Sequence, residues 1–431
     1  MMPTRRSTLL GMMFPYLLKS LPLGLGLVTL FSCQILLGRL LGPALYGEYG
    51  YLLTWVTAAA ILSRAGHEWS LMRLLPPLID EGALGRMRHL VVRSFAAVSV
   101  RAVVAMAVLM IVFTTMASLN WPTRLMALAL VFVMAHAGLM RSFGLTHSAI
   151  WTSDAPENFL KPILFVALVW IATNNANIII VDDILAINLG VSIGALLLTT
   201  VLVVGHKAKS LLRARAEPFD LSEARSVTRT LFLSNAMNMV LRNADMLVVG
   251  AISPPLETGL YLAATRVAAI PSAIVTIIDP VAGPGIARAS HAGDASALRR
   301  IINAYSLTTT AVSAGALIFF LIVGDHLVSL LLGDTFTKAA NFTTILLLGH
   351  LIANITAPGG SLLSLTGNHK ISLRISVLSA LAFILLLTVL TYLFSAEGAA
   401  WAFVIGSAIK ATLLIFHAKN ATGVSPSFIL R

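Results

Sequence analysis

Charge is what this sequence has least of. Asp, Glu, Lys and Arg make up 11% of its 431 residues, where a soluble domain carries roughly 25%. A chain so poor in charge and 58% hydrophobic cannot cover itself with a water-facing surface, which excludes a soluble globular protein. Alternating apolar–polar strands are missing as well. The apolar runs extend over about 18–25 residues, which fits helices crossing ~30 Å of hydrocarbon and not barrel strands. Cys33 is the one cysteine, so an intramolecular disulfide or a cysteine metal cluster is impossible. No Gly-rich nucleotide-binding loop occurs. Any transport must therefore draw on a gradient or a membrane potential.

The net charge of +12 does not point to nucleic acid, because no basic block exceeds a short loop and aromatics do not interleave with it. The alternative is positive loops facing the cytoplasm. The start, TRRSTLLG, loosely resembles a twin-arginine export signal. With no small-residue cleavage site after it, Arg5 and Arg6 read as an orientation anchor. Hydropathy predicts twelve spans, at 16–38, 47–66, 91–118, 124–146, 157–174, 183–205, 228–251, 257–287, 299–323, 338–364, 371–394 and 398–417. The connections on one side then carry twenty-one Lys and Arg. Those on the other carry three, Arg39, Arg124 and Lys338. That asymmetry predicts cytoplasmic termini, and the loops on the poorly charged side are too short for an external catalytic domain.

Two stretches share a spacing. GRLLGPALYGEYG, from residue 38, places Gly38, Pro43, Gly47 and Tyr49 at the same offsets as Gly250, Pro255, Gly259 and Tyr261 in GAISPPLETGLYL. Glycine and proline end one helix and permit a tight connection, and a tyrosine there suits the lipid–water interface. A weaker echo pairs GRMRHLVVRSF (85–95) with SALRRIINAYS (296–306). With the polar linker KAKSLLRARAEPFDLSEAR dividing the spans six and six, the spacing predicts an internal duplication. The expected organisation is an N-terminal six-helix bundle (1–206), a cytoplasmic linker (207–227), a C-terminal six-helix bundle (228–417) and a cytoplasmic tail (418–431). With an even number of spans per half, the bundles would be related by a pseudo-two-fold axis along the membrane normal, around a central cavity.

Six cations fall inside predicted spans: Lys19, Arg93, Arg101, Arg242, Arg266 and Lys410, against two acids, Asp245 and Asp279. A cation at mid-bilayer costs about 2.5–3.5 kcal/mol or more, so it usually faces a cavity or a partner. Each also has a plainer reading. Arg93 and Lys410 can snorkel. Arg242 and Asp245 stand three apart on one helix and can neutralise each other. Asp279, next to Pro280, can satisfy backbone freed by the prolines. Lys19 and Arg266 have no such explanation. His136 and His350 read as hydrogen-bonded packing residues before ligands. Asn235, Asn238 and Asn243 fit helix–helix hydrogen bonding as well as a substrate path. The net positive sign suits an anionic ligand such as a diphosphate or carboxylate.

Several stretches together resemble the polysaccharide flippases. They are GRLLGPALYGEYGYLLTW, NADMLVVGAISPPLETGLYLAATRVAAIPSAI, GDTFTKAANFTTILLLG, SLTGNHK and SAEGAAWAFVIGSAIKATLL. These flippases are the Wzx-type, O-antigen or exopolysaccharide branch of a superfamily that also holds lipid II flippases and multidrug exporters. The resemblance implies a bacterial inner-membrane protein that is not an enzyme. It would turn an undecaprenyl-diphosphate-linked oligosaccharide to the periplasmic leaflet by alternating access. It would use no cofactor, couple to an H+ or Na+ gradient or to membrane potential, and work beside a polysaccharide polymerase and chain-length regulator. It places Lys19, Arg242 and Arg266, on spans one, seven and eight, at the substrate's anionic groups and makes Asp245 a coupling candidate; as further intramembrane charges, Arg101 joins the cations and Asp279 the coupling candidates. On span two the sequence departs from the family, offering only Glu48 and Arg64. The alternatives are an ion-coupled multidrug exporter of the same fold, expected to show more acid than base, and a membrane glycosyltransferase or ligase, which needs an external carboxylate or His constellation.

Overall fold

The computed structural model describes residues 9–116, 119–147, 150–175, 180–205, 214–215, 217–218 and 243–428; of residues 9–25 only the helical backbone is described. Among the described residues the regular structure is all helical. The helices are α1 (Leu9–Arg64), α2 (His67–Asp80), α3 (Leu84–Thr115), α4 (Trp121–His147) and α5 (Ile150–Ala155). A π-helical turn, Pro156–Leu160, leads into α6 (Lys161–Asn175) and α7 (Val181–Val203). After α8 (Asn243–Ile252) come α9 (Pro255–Ala268), α10 (Ile270–His291), α11 (Ala295–Leu332), α12 (Ala339–Ile355), α13 (Pro358–Leu365) and α14 (His369–Thr422).

Eight of the described helical stretches are long and apolar enough to cross a membrane. Two of them are double. α1 breaks at Gly42 (φ 71°, ψ 166°), a conformation reserved for glycine, and α14 breaks at Phe394–Ser395. The first break falls between predicted spans, and the second at the end of predicted span 371–394. Most of the 207–227 linker lies outside the described residues.

Two compact units divide the chain. The first comprises Met1–Leu25, Gly42–Gly47 and Val248–Arg431; the second comprises Gly26–Leu41 and Glu48–Leu247. Each turns apolar side chains outward, as Ile322 (77% exposed) does in the first and Ile111 (68%) in the second, because lipid tails are as good a solvent for them as another helix. Packing therefore relies on close approach and polar pairs. In the first unit, Thr309 Oγ1 donates to the Asn354 carbonyl at 2.8 Å and Asn354 Nδ2 to Ser313 Oγ at 2.7 Å, tying α11 to α12.

Two helical hairpins share one backbone pattern. At the α2–α3 hairpin Gly82 N donates to Ile79 O (3.0 Å), Ala83 N to Leu78 O (3.0 Å) and Leu84 N to Gly82 O (2.9 Å). Residue for residue, 211 positions on, Gly293 N donates to Ser290 O (3.1 Å), Asp294 N to Ala289 O (3.0 Å) and Ala295 N to Gly293 O (3.1 Å). Both glycines sit at φ 66°.

Two sequence expectations change here. Residues 67–80, expected in a loop, are helical, so the connection after them shrinks to Glu81–Ala83. The motif tyrosines are not at an interface. Tyr49 is 2% exposed and Tyr261 0%, because a protein partner is present: Asn188 Nδ2 donates to the Tyr49 hydroxyl at 2.6 Å, and the ring stacks on Phe165 at 5.7 Å.

Candidate functional site

Proline at the first helical position, where its missing N–H costs nothing, starts both copies of the spaced motif. Pro43 follows the break at Gly42, and Pro255 opens α9. Within the first unit these two starts lie against each other. A β-carbon on Gly47 would run into the Pro255 carbonyl oxygen and Gly259 N, and one on Gly259 into the Pro43 carbonyl oxygen. Only glycine lets two backbones approach so closely.

That crossing orients Arg266. Its guanidinium hydrogen-bonds the Tyr46 hydroxyl, and Tyr46, 1% exposed, meets Phe336 edge-to-face at 6.3 Å. Arg266 is itself exposed. It is the twelfth residue of α9, about 17 Å along that helix at 1.5 Å per residue, and its side chain reaches Tyr46, which stands four residues past the break at Gly42. A guanidinium carries five N–H donors, and a single phenol leaves most of them available.

The other candidates are dispersed. Asp279 accepts at one carboxylate oxygen from the hydroxyls of Tyr305 (3.1 Å) and Ser361 (2.5 Å), so its partners are side chains of α11 and α13 and not the backbone beside Pro280. Arg101 is exposed on α3 and acts electrostatically on His67, whose pKa burial, first, and Arg101, second, push down to about 4. Asp245, half-buried on α8, accepts from the Met246 amide at 2.8 Å. Lys410 is exposed on α14. Lys19 lies on the described helical backbone of α1, without its side chain, and Arg242, Asn235 and Asn238 lie outside the described residues. Arg64 ion-pairs with Glu68 at 2.8 Å, which engages the cation that span two offered.

Both lone histidines are hydrogen-bonded packing residues. His136 meets Ser99 Oγ at 2.9 Å, and His350 meets Ser272 Oγ at 2.8 Å. Among the described residues no three His, Cys, Asp or Glu converge to hold a metal ion. Sequence reasoning missed Tyr46, Tyr305 and Ser361. Tyr46 had a signal, standing beside the motif's Gly47, but the other two had none.

The model of a family described as polysaccharide biosynthesis protein matches residues 16–290, well over half of the chain and inclusive of both motif copies. The chain belongs to that family. No curated protein matches it. Solved structures share the fold of this polysaccharide biosynthesis protein at low identity. An inward-facing multidrug-resistance MATE transporter of the MOP superfamily superposes with a TM-score of 0.74 at 10% identity, covering 91% of this chain and 94% of that one. The lipid II flippase MurJ, in an inward closed conformation, gives 0.70 at 15%, covering 94% and 87%. An outward-facing MATE transporter gives 0.59 at 12%, covering 92% of each. The family member is thus a multi-pass helical membrane protein whose structural neighbours are transporters and flippases.

Proposed function

We propose that the protein flips an undecaprenyl-diphosphate-linked oligosaccharide repeat unit from the cytoplasmic to the periplasmic leaflet of a bacterial inner membrane, supplying O-antigen or exopolysaccharide synthesis. Arg266 carries this reading: an exposed guanidinium on an apolar helix of a membrane protein, steadied by Tyr46, has the charge and the paired donors that a diphosphate needs. Lys19, Arg242 and Arg101 would add positive potential along the path. Asp245 and Asp279 would be the groups that bind and release a coupling proton or Na+, unless membrane potential alone drives the step.

The moving parts would be two six-helix bundles, 1–206 and 228–417, joined by the 207–227 linker, with the 418–431 tail and both termini in the cytoplasm. Rocking of the bundles exposes a central cavity to each side in turn. No covalent bond changes, so the chain's work is to lower the cost of moving charge through hydrocarbon. A polymerase and a chain-length regulator are the partners this role implies.

The test is translocation of a fluorescent or radiolabelled lipid-linked oligosaccharide in proteoliposomes. Losing a charge-assisted contact costs about tenfold or more. Arg266→Ala and Lys19→Ala should each show that loss while the thermal midpoint stays at the wild-type value. Normal flipping by both variants would sink the assignment, and efflux of cationic drugs without glycolipid flipping would favour the exporter alternative.

A further inference from the structure

The first unit also contains a cavity of about 730 Å³, lined by residues 320–326 of α11, Lys338 and the start of α12, and Glu397 just beyond the break in α14. That volume lies within the roughly 300–1,000 Å³ of small-molecule sites. Its lining changes character along its length. Leu321 and Ile322, 64% and 77% exposed, form an apolar wall of the kind that faces acyl chains. Asp325, His326, Lys338, Asn341 and Glu397 form a polar part, and all five are exposed.

An independent feature fixes the level of this polar part. Tyr392 (78% exposed) and Phe394 (62%) project from α14 immediately before its break, as aromatics do at a membrane interface. Glu397 follows just past the break. The cavity therefore straddles the boundary between hydrocarbon and headgroups, and Lys338 belongs to the loops expected on the extracytoplasmic side.

The polar groups are not consumed by one another. None of Asp325, Lys338, Asn341 and Glu397 forms an ion pair or side-chain hydrogen bond among the described residues. A lysine, a compact cationic donor, flanked by two carboxylates repels a purely anionic headgroup. It also leaves acceptors that a quaternary ammonium cannot satisfy with N–H bonds. We propose that this cavity is a binding site for a zwitterionic phospholipid with a primary amine, of the phosphoethanolamine class. Lys338 takes the phosphate, Glu397 and Asp325 take the ammonium, and the Leu321–Ile322 wall takes the upper acyl chain. Its lining includes none of Arg266, Tyr46 and Phe336, and the proposal does not depend on the transported substrate.

The full-length purified protein, in nanodiscs and by native mass spectrometry from detergent, tests the proposal against phosphatidylethanolamine, phosphatidylcholine and phosphatidylglycerol. Saturable binding should favour phosphatidylethanolamine by about tenfold over either other lipid. It should fall about tenfold in Lys338→Gln and in Glu397→Gln. The exposed Lys419→Gln, at the far end of α14, should bind as the wild type does. Equal retention of all three lipids, or unchanged binding in both cavity variants, overturns the proposal. Competition by water-soluble phosphoethanolamine at the lipid's own affinity overturns the assignment of the apolar wall. Loss of binding with loss of the thermal transition is resolved by Asn341→Ala, which should weaken binding without unfolding the chain; normal binding there as well overturns the proposal.

Discussion

The two hairpins at Gly82 and Gly293 share a backbone and differ in what fastens it. The pattern of amide donors is the same in both, but the side chains are not. At the second hairpin Asp294 caps α11, accepting from the Ser296 and Ala297 amides at 3.0 and 2.9 Å. At the first, Ala83 offers no cap. There the central linker is bound instead: Glu217 N donates to Gly85 O at 3.2 Å, and Arg88 Nη1 to Ala214 O at 2.5 Å. The two turns share the geometry that positions their helices, and each is secured by its own means. Backbone positions should therefore respond alike in the two halves, and side-chain positions should not.

The largest effect belongs to the crossing, where the two copies are interchangeable. Gly47→Val and Gly259→Val each drive a β-carbon into an opposing backbone that cannot swing away. Each should cost at least about 3 kcal/mol by thermal unfolding in detergent, and the two should match. Gly194→Ala, in α7 with open space around it, should be neutral or stabilising by up to about 1 kcal/mol. A tolerated Val at either crossing position would show that the approach is not required.

Next in size is the linker. Gly85→Val would place side-chain atoms against the Arg215 carbonyl and the Glu217 side chain, and Arg88→Ala removes a charge-assisted bond. Limited proteolysis of the linker should accelerate about tenfold in each. The equivalent changes at the second hairpin, Ser296→Val and Arg299→Ala, should leave it unaltered. A weaker effect, of about 1–2 kcal/mol, is expected equally from Gly82→Ala and Gly293→Ala, both at φ 66° with no neighbour within reach. Unequal losses would break the backbone equivalence.

Much of this was legible in the sequence, and the exceptions share a cause. Long apolar runs define helices by composition alone, and G-x4-P-x3-G-x-Y located both sides of the crossing, because close approach and a helix start each demand one residue type. α2 was hidden by Glu68, Arg73, Asp80 and two adjacent prolines, which read as loop although its other face buries Leu71, Leu74, Leu75 and Leu78. Tyr49 was misplaced because its partner Asn188 stands 139 residues away. The partners of Asp279 lie 26 and 82 residues off. Local spacing specifies where a helix begins and turns. Which buried hydroxyl meets which carboxylate depends on tertiary packing that no local pattern encodes.

The smallest effect isolates the difference between the hairpins by pH. The Ala297 amide, first, and the Ser296 hydroxyl, next, hold the Asp294 carboxyl below its ordinary value of 3.8. Because the folded-state value is the lower one, the carboxylate's contribution is present above the unfolded range near 3.8 and is lost as pH falls through the depressed folded value. The thermal midpoints of wild type and Asp294→Ala should therefore differ at about pH 6 and converge as the medium is acidified below that range. Ala83→Asp makes the converse test. Residue 83 has φ −79°, ψ 61°, close to the φ −84°, ψ 86° of Asp294. The new carboxylate should reach the amides of Gly85 and Arg86, stabilise by about 0.5–1 kcal/mol and show the same acid-side loss. A gain that persists undiminished in acid would mean that the introduced side chain acts by something other than capping, and that the two turns are not equivalent hosts.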